Sequence, residues 1–257
     1  MPVLNPWVLQ TGKHPAPSRR LFCFPFAGGG GSVFRKWAAY VPTDIELCPV
    51  QLPGREGRIS EPPFNQMDEL ADAATSALLP LFDLPFAFFG HSMGALLAFE
   101  IARRLQKAGR PGPDLLIASA AVAPQVPTTS ISYNLPASQL IDELRRLEGT
   151  PREVLDDAEL IALVLPLIRA DFQVVETYRF DPGPPLECPI VAMGGSEDPH
   201  VSPEQLETWC QLTNGEFARY LMSGGHFYVL HTAQIVVQAA LHYIDKFASF
   251  GRFGVKL

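Results

Sequence analysis

The sequence Gly90-His91-Ser92-Met93-Gly94 matches the pattern G-x-S-x-G. It follows a continuous apolar run, Phe86-Ala87-Phe88-Phe89, and it precedes a helical pattern over residues 93–107. These neighbours predict a buried strand, a tight turn and a helix, with the serine at the turn. The turn brings strand and helix close together, so it requires small residues beside the serine, and the two glycines meet that need. The context therefore predicts that the Ser92 side chain projects out of a sheet.

Apolar strand patterns alternate with helical patterns along most of the remaining chain. The predicted strands are residues 21–24, 45–50, 86–89, 115–121, 189–193 and 217–222, and the predicted helices are 33–40, 67–81, 93–107, 203–212 and 229–247. This alternation is typical of an α/β fold with a mostly parallel central sheet and helices on both faces. We predict a single domain over residues 1–257.

One stretch departs from the alternation. Residues 125–186 show helical patterns at 136–147, 156–164 and 167–178 and no strand pattern. A helical insertion between two sheet strands predicts a lid over the strand ends. The alternative is a helical subdomain that serves stability only.

Composition excludes several classes of protein. Hydrophobic residues make up 47% of the 257 residues, which is enough for a full core. The net charge of −7 argues against general nucleic-acid binding, which needs a dense basic surface. The first residues show no signal peptide, and the longest apolar run, 115–124, is too short to span a bilayer, so we expect a cytoplasmic protein without membrane contact. Four widely spaced cysteines form no metal-binding pattern, and we expect neither metal nor cofactor.

A serine hydroxyl becomes a useful nucleophile only with a base that takes its proton and an acid that orients the base. In the α/β-hydrolase fold these follow in the order serine, acid, histidine. His226 lies in a glycine-rich loop after the last predicted strand. This is the position of the catalytic histidine in the α/β-hydrolase fold. Asp198 follows strand 189–193 and is the preferred acid, with Glu197 as the alternative. Residues 119–124, after the preceding strand, contain no carboxylate.

The same chemistry needs N–H donors for a developing oxyanion. The first predicted donor is the backbone amide of Met93, at the start of the helix after the serine. The second is expected from the glycine-rich loop 25–31, with Ala27 preferred and Phe26 as the alternative. A phosphate-binding loop is disfavoured, because neither G-x-x-x-x-G-K-[ST] nor G-x-G-x-x-G with its downstream acid is present.

These motifs together resemble a type II thioesterase, the free-standing α/β-hydrolase that accompanies modular polyketide and nonribosomal peptide synthases. The resemblance covers roughly residues 21–231. The segments that carry it are 24–29, 51–58, 89–95, Arg169-Ala170-Asp171-Phe172 with Glu176 and Tyr178, 194–198, and 224–227.

The resemblance implies a catalytic triad of Ser92, Asp198 and His226 with oxyanion donors at Ala27 and Met93. The implied substrate is an acyl group in thioester linkage to the phosphopantetheine arm of an acyl or peptidyl carrier protein. Its hydrolysis would remove stalled or aberrant acyl groups, and the family form is a monomer. The lid would enclose an acyl chamber, for which the lining candidates are Leu160, Leu163, Leu167 and Phe172; ordinary helix packing explains these four equally well.

Other functions use the same residues. A general carboxylesterase or lipase would share the triad and take free esters, and an acyltransferase would exclude water from the acyl-enzyme. A non-catalytic binding protein would not need all three triad residues. Carrier proteins are usually acidic, so a docking patch on this acidic chain must be local; Arg145, Arg146 and Arg152 are the candidates. The resemblance leaves Arg55 and Arg58 either to fix their loop or to contact substrate.

Overall fold

A computed structural model describes residues 5–12, 16–127 and 131–251, with side chains up to residue 247. The predicted single domain 1–257 includes the two termini, and the predicted lid includes residues 128–130. Those parts of the two predictions lie outside the described residues.

Six parallel strands form one sheet. They are β1 (Arg19–Phe24), β2 (Ile45–Pro49), β3 (Phe86–His91), β4 (Leu115–Ser119), β5 (Ile190–Gly195) and β6 (Phe217–Met222). Their order across the sheet is β2-β1-β3-β4-β5-β6, and every neighbouring pair is parallel. The predicted α/β fold with a parallel central sheet is confirmed. The carboxyl ends of all six strands therefore lie at one edge of the sheet, its carboxyl edge.

Eight α-helices accompany the sheet in the described part of the chain. They are α1 (Met67–Leu78), α2 (Met93–Lys107), α3 (Ala137–Leu147), α4 (Arg152–Leu155), α5 (Ala158–Glu176), α6 (Pro203–Glu207), α7 (Tyr228–His231) and α8 (Ala233–Gly251). Short 3₁₀ helices cover Gly31–Ala39, Glu56–Arg58, Leu79–Leu81 and Thr208–Leu212. No helix among the described residues is long and apolar enough to cross a membrane.

Alternation along the strands divides the core between the two faces of the sheet. Phe22 and Phe24 of β1 belong to the cluster that includes residues of α1 and α2. Leu21 and Cys23 belong to the second cluster, which includes residues of α8. Because successive side chains of a strand point to opposite faces, these fully apolar strands require helices on both sides.

The helices between β4 and β5 differ from the prediction at a proline. Residues 156–164 and 167–178 were expected to form two helices, but α5 runs unbroken over 19 residues with Pro166 inside it. That expectation was wrong. Proline removes one hydrogen bond from the helix, yet Ile161 and Ile168 on either side pack into the same apolar cluster as Leu144 and Leu155. Shared packing on both sides of Pro166 keeps the helix continuous.

Other boundaries shift by local causes. The predicted helix 33–40 is a 3₁₀ helix, and the predicted helices 67–81 and 203–212 each end in a 3₁₀ turn. The predicted helix 229–247 is divided at Thr232, whose hydroxyl donates to the Tyr228 carbonyl at 2.8 Å while its own carbonyl accepts from the Val236 amide at 3.0 Å. These changes leave the strand order and the loops at the carboxyl edge unaffected.

We predict that Gly94→Ala destabilises the fold, because its Cβ would lie 2.2 Å from the Phe24 carbonyl oxygen and 2.7 Å from that of Pro25. Overpacking against backbone should lower the free energy of unfolding by about 3 kcal/mol in urea unfolding. Gly112→Ala is the matched control, since its Cβ meets nothing within 4 Å; it should change stability by less than about 0.5 kcal/mol. Equal stability of the two variants would contradict the close approach of α2 and β1.

Candidate active site

Ser92 occupies a strained turn between β3 and α2. Its φ of 54° and ψ of −116° place a non-glycine residue at positive φ, a conformation that persists only when the surroundings enforce it. The Ser92 amide donates to the Ser119 carbonyl at 2.7 Å, and its carbonyl accepts from Ala95 at 2.9 Å. A Cβ on Gly90 would lie 2.2 Å from the Gly94 carbonyl oxygen. The side chain of Ser92 is left partly exposed at the carboxyl edge.

His226 and Asp198 form a hydrogen-bonded pair in the loops after β6 and β5. The distance from His226 Nδ1 to Asp198 Oδ2 is 2.8 Å, and the Asp198 side chain is fully enclosed. The second oxygen, Oδ1, accepts the N–H groups of His200 at 2.8 Å and Val201 at 3.2 Å. Both oxygens are thus occupied, which fixes the carboxylate and holds the imidazole with Nδ1 toward it.

The charge of Asp198 depends on the balance between burial and its partners. Burial by itself raises the pKa of the Asp198 carboxyl. The hydrogen bond and charge of His226, with the amides of His200 and Val201, outweigh burial and hold that pKa below its ordinary value. Asp198 is therefore ionised at neutral pH.

The loops after β5 and β6 meet through their backbones. A Cβ on Gly195 would lie 2.3 Å from the Gly224 carbonyl oxygen, so only glycine permits this approach. The Glu197 amide donates to that same carbonyl at 3.0 Å, and Ser196 donates to Met222 at 2.7 Å. The Glu197 side chain is exposed, whereas Asp198 contacts His226. His200 is also exposed, with its ring 5.6 Å from that of His226.

The two predicted oxyanion donors follow two neighbouring strands of the sheet, β1 and β3. Met93 is the first residue of α2, where an amide has no acceptor within its own helix. Ala27 follows β1, which pairs directly with β3, and it is partly exposed. Phe26, the alternative, is buried, and its ring packs on that of Phe227 at 4.9 Å. Its carbonyl accepts the Gly29 amide at 2.9 Å.

A second serine–histidine pair lies beneath this site. His91 Nδ1 is 2.8 Å from Ser119 Oγ, which is 2.5 Å from the hydroxyl of Tyr228. His91 and Ser119 are fully buried and Tyr228 nearly so; substrate therefore cannot reach Ser119 without unfolding of the core. Burial, and next the charge of His226, hold the pKa of His91 well below its ordinary value. Burial likewise raises the pKa of Tyr228. The group is a neutral polar layer under the site.

Two of the resembling segments meet in a buried ion pair. Arg55 Nη1 and Nη2 donate to Asp171 Oδ2 at 2.7 Å and Oδ1 at 2.9 Å, and both side chains are almost completely enclosed. The Gly28 amide also donates to Asp171 Oδ2, at 2.7 Å. Arg58 is held by Glu61 at 2.6 and 2.7 Å and by the Gln51 carbonyl at 2.9 Å. Both arginines therefore fix their loop, and the contact with Asp171 was not predicted.

The four chamber candidates separate into two pairs on α5. Leu160 is 44% exposed and Leu163 is 60% exposed. Leu167 is buried, and Phe172 is partly buried against the cluster that contains Ile161 and Ile168. The structure therefore does not bring the four side chains into one lining surface.

Glu176 and Tyr178, which belong to the same resembling segment as Asp171, anchor the base of the insertion. The Glu176 carboxylate accepts the amides of Ser132 at 2.8 and 2.9 Å and of Tyr133 at 2.8 Å. The Tyr178 hydroxyl donates to Glu100 of α2 at 2.6 Å. Both residues thus hold the insertion to itself and to the main sheet layer.

The three arginines proposed for carrier docking lie on the surface of the insertion. Arg145 is bound to Asp142 and Asp156, each at 3.2 Å, and Arg146 to Glu143 at 2.9 Å. Arg152 is exposed at the start of α4. Within the described ranges, no group of three or more His, Cys, Asp or Glu side chains is arranged to hold a metal ion.

The chain is similar in sequence to known thioesterases. The family model described as Thioesterase domain matches residues 19–246. The gramicidin S biosynthesis protein GrsT of Aneurinibacillus migulanus is 41% identical over 236 residues, covering 91% of this chain and 92% of that protein. Thioesterase PikA5 of Streptomyces venezuelae is 38% identical over 219 residues, covering 84% of this chain and 78% of that protein.

A solved structure of a thioesterase has a similar fold. The type II thioesterase BorB from the borrelidin biosynthetic cluster superimposes with a TM-score of 0.83 at 39% sequence identity. The match covers 92% of this chain and 96% of that one.

The buried state of His91 predicts a pH dependence of stability. The folded protein keeps His91 neutral, whereas the unfolded chain protonates it near its ordinary pKa of about 6.5. Stability is therefore lost as the pH falls below about 6.5, by up to about 1.4 kcal/mol per pH unit for this one proton. His91→Asn, which keeps a polar atom near the Nδ1 position, should lose less stability between pH 6.5 and 5.5 in urea unfolding.

His242→Asn is the control for that experiment, because His242 is exposed on α8. It should follow the wild-type pH dependence. If His91→Asn also follows it, His91 is not held neutral in the fold.

Proposed function

The chain belongs to the thioesterase family, among the type II thioesterases of nonribosomal peptide and polyketide biosynthesis, and we propose that Ser92, His226 and Asp198 are its catalytic triad. The proposed reaction is the hydrolysis of acyl thioesters on the phosphopantetheine arm of carrier proteins. The observation that carries the assignment is the 2.8 Å bond between His226 Nδ1 and an enclosed, ionised Asp198. This bond leaves Nε2 as the atom that can take a proton from Ser92.

Acylation begins when His226 Nε2 accepts the Ser92 hydroxyl proton and Oγ attacks the thioester carbonyl carbon. The carbonyl oxygen takes the displaced electron pair, and the amides of Met93 and Ala27 bind the resulting oxyanion. As the carbonyl re-forms, the C–S bond breaks and the sulfur of the arm receives the proton from His226. The acyl group is then an ester on Ser92.

Deacylation repeats these steps with water. His226 removes a proton from a water molecule as its oxygen attacks the ester carbonyl, and the same amides bind the second oxyanion. The C–O bond to Ser92 breaks, Oγ receives the proton, and the free acid leaves. Asp198 stays ionised throughout, holding the His226 tautomer and stabilising the imidazolium that forms in each step.

We assign the insertion to a lid over this site. A Cβ on Gly149, between α3 and α4, would lie 2.2 Å from the Phe227 ring, next to His226. Ile168 of α5 lies within 3.0 Å of the Cβ position of Gly28. The insertion therefore contacts the glycine loop and the loop that carries His226. In this assignment Leu167 and Phe172 stabilise the inner side of α5, and Leu160 and Leu163 offer exposed apolar surface to the acyl chain or the arm.

Carrier proteins are the proposed partners. GrsT is named for gramicidin S biosynthesis and BorB for the borrelidin cluster, and carrier-bound intermediates are the thioesters of such pathways. Arg146 and Arg152 place exposed positive charge on the insertion, where an acidic carrier could approach despite the net charge of −7. A cytoplasmic monomer is the proposed working form.

Ser92→Ala should abolish release of acyl groups from an acylated carrier protein, because it removes the nucleophile while leaving the fold intact. Intact-mass spectrometry of the carrier measures the loss of the acyl mass with wild type and variant. Turnover near the wild-type rate would overturn the triad. Cleavage of simple esters with no loss of the carrier-bound acyl group would instead favour a general esterase.

Asp198→Asn should lower kcat by about 10³- to 10⁴-fold, since His226 loses the partner that fixes its tautomer. Glu197→Gln is the matched control at the adjacent exposed position and should stay within about twofold of wild type. The same carrier-protein assay measures both. A larger loss for Glu197→Gln than for Asp198→Asn would transfer the acid role to Glu197.

A further inference from the structure

We propose that Arg55 and Asp171 are positioning residues for catalysis: their ion pair connects lid helix α5 to the loop that presents the Ala27 oxyanion donor. The inference rests on the proposed function, since it concerns the geometry of that donor. Neither side chain is assigned a contact with substrate.

The pair holds two peptide groups of the glycine loop, the one between Ala27 and Gly28 and the one between Gly29 and Gly30. Asp171 Oδ2 accepts the Gly28 amide at 2.7 Å, and Arg55 Nη1 donates to the Gly29 carbonyl at 3.0 Å. Nη1 also donates to Asp171 Oδ2, so one arginine nitrogen and one carboxylate oxygen form the centre of the arrangement. Hydrogen bonds between charged groups and peptide groups are shorter and stronger than neutral ones, and here they are enclosed.

The glycine loop needs such external support. Gly28 has a φ of 79°, and four successive glycines, residues 28–31, have weak conformational preferences of their own. The Ala27 N–H lies in the same peptide group as the Phe26 carbonyl, which accepts the Gly29 amide at 2.9 Å. Fixing the Gly28 amide and the Gly29 carbonyl therefore restrains the turn that sets the direction of the Ala27 N–H. An oxyanion donor acts only when its N–H lies within a narrow range of distance and angle.

The other end of Arg55 is fixed as well. Gln51 Nε2 donates to the Arg55 carbonyl at 3.0 Å, and Gln51 Oε1 accepts the Gly31 amide at 2.9 Å. Residues 51–55 and the glycine loop are therefore joined at two points, by Arg55 to the Gly29 carbonyl and by Gln51 to the Gly31 amide. Asp171 adds a third element, α5, so the position of the Ala27 amide depends on the placement of the lid helix.

Stability alone does not account for a pair of this kind. Desolvation of two charges offsets most of their attraction, and well-packed apolar residues often replace a buried pair without loss of stability. Removal of only one partner leaves an unpaired buried charge and is strongly destabilising. The double variant Arg55→Met/Asp171→Leu therefore separates stabilisation of the fold from positioning of the glycine loop. It leaves no unpaired buried charge, but it removes the hydrogen bonds that hold the loop.

The test compares kcat and KM on an acylated carrier protein, the melting temperature, and the Kd for an alkylboronic acid, whose adduct on Ser92 mimics the tetrahedral intermediate. For the double variant we expect a kcat about 10- to 100-fold lower, KM within about threefold of wild type, and boronate affinity weakened by a similar factor to kcat. Its melting temperature should exceed that of Arg55→Met alone. A double variant with wild-type kcat and boronate affinity would overturn the proposal.

Arg20→Met is the matched control for loss of an ion pair. Arg20 lies near the opposite end of β1, where it pairs with Glu46 at 2.6 Å and with Asp83. We expect this variant to keep wild-type kcat and boronate affinity even if it melts at a lower temperature. A loss of kcat equal to that of the double variant would assign the effect to general destabilisation and overturn the proposal.

Arg55→Lys provides a second route if the double variant does not fold. Lysine keeps the charge but lacks the planar fork, so it cannot bind both Asp171 oxygens and the Gly29 carbonyl together. We expect lower kcat and weaker boronate binding, and unchanged values would overturn the proposal. Ser92→Ala separates the two levels of the account. If Ser92→Ala still hydrolyses the acylated carrier protein, the proposed function fails. If Ser92→Ala is inactive and Arg55→Lys keeps wild-type kcat and boronate affinity, only the positioning role fails.

Discussion

The strained backbone of Ser92 is the constraint on which the site depends. A serine at φ 54° is unfavourable by itself. The conformation persists because the packing of α2 against β3 permits only a tight turn between them. Gly90 and Gly94 permit backbone contacts that any side chain would block, and the Ser119 carbonyl binds the Ser92 amide from the adjacent strand. Ser92, the proposed nucleophile, is thus positioned by the core of the sheet, and its partial exposure at the edge follows from that packing.

The parallel sheet brings the other groups to the same edge. Because β1 pairs with β3 and β5 with β6, the loop of Ala27 lies beside the turn that carries Ser92, while the loops of Asp198 and His226 lie beside each other. Gly195 lets the latter two meet backbone to backbone. A rigid scaffold with functional loops at its carboxyl edge is the usual arrangement in α/β proteins. In this chain the Arg55–Asp171 pair holds the glycine loop to α5 of the insertion.

Local sequence patterns predicted the strands, most of the helices and the turn at Ser92. They did not predict the contacts between residues far apart in the chain. The strand–turn–helix at Ser92 was predictable because the apolar run, the two glycines and the helical pattern that indicate it lie within residues 86–107. The break at Pro166 was predicted wrongly because packing around Ile161 and Ile168 outweighs one lost hydrogen bond. The Arg55–Asp171 pair joins residues 116 positions apart, and His91, Ser119 and Tyr228 come from three elements. No periodicity links such positions, so only the folded chain shows them together.

The most direct test of the account is to identify the residue that carries the acyl group during turnover. The protein is mixed with an acylated carrier protein, quenched within milliseconds, digested and mapped by mass spectrometry. The account predicts an acyl mass on the peptide that contains Ser92, with free carrier thiol appearing before or together with the free acid. An acyl group on another residue, such as Ser119 or Cys210, or hydrolysis with no acylated peptide at any time, would contradict it.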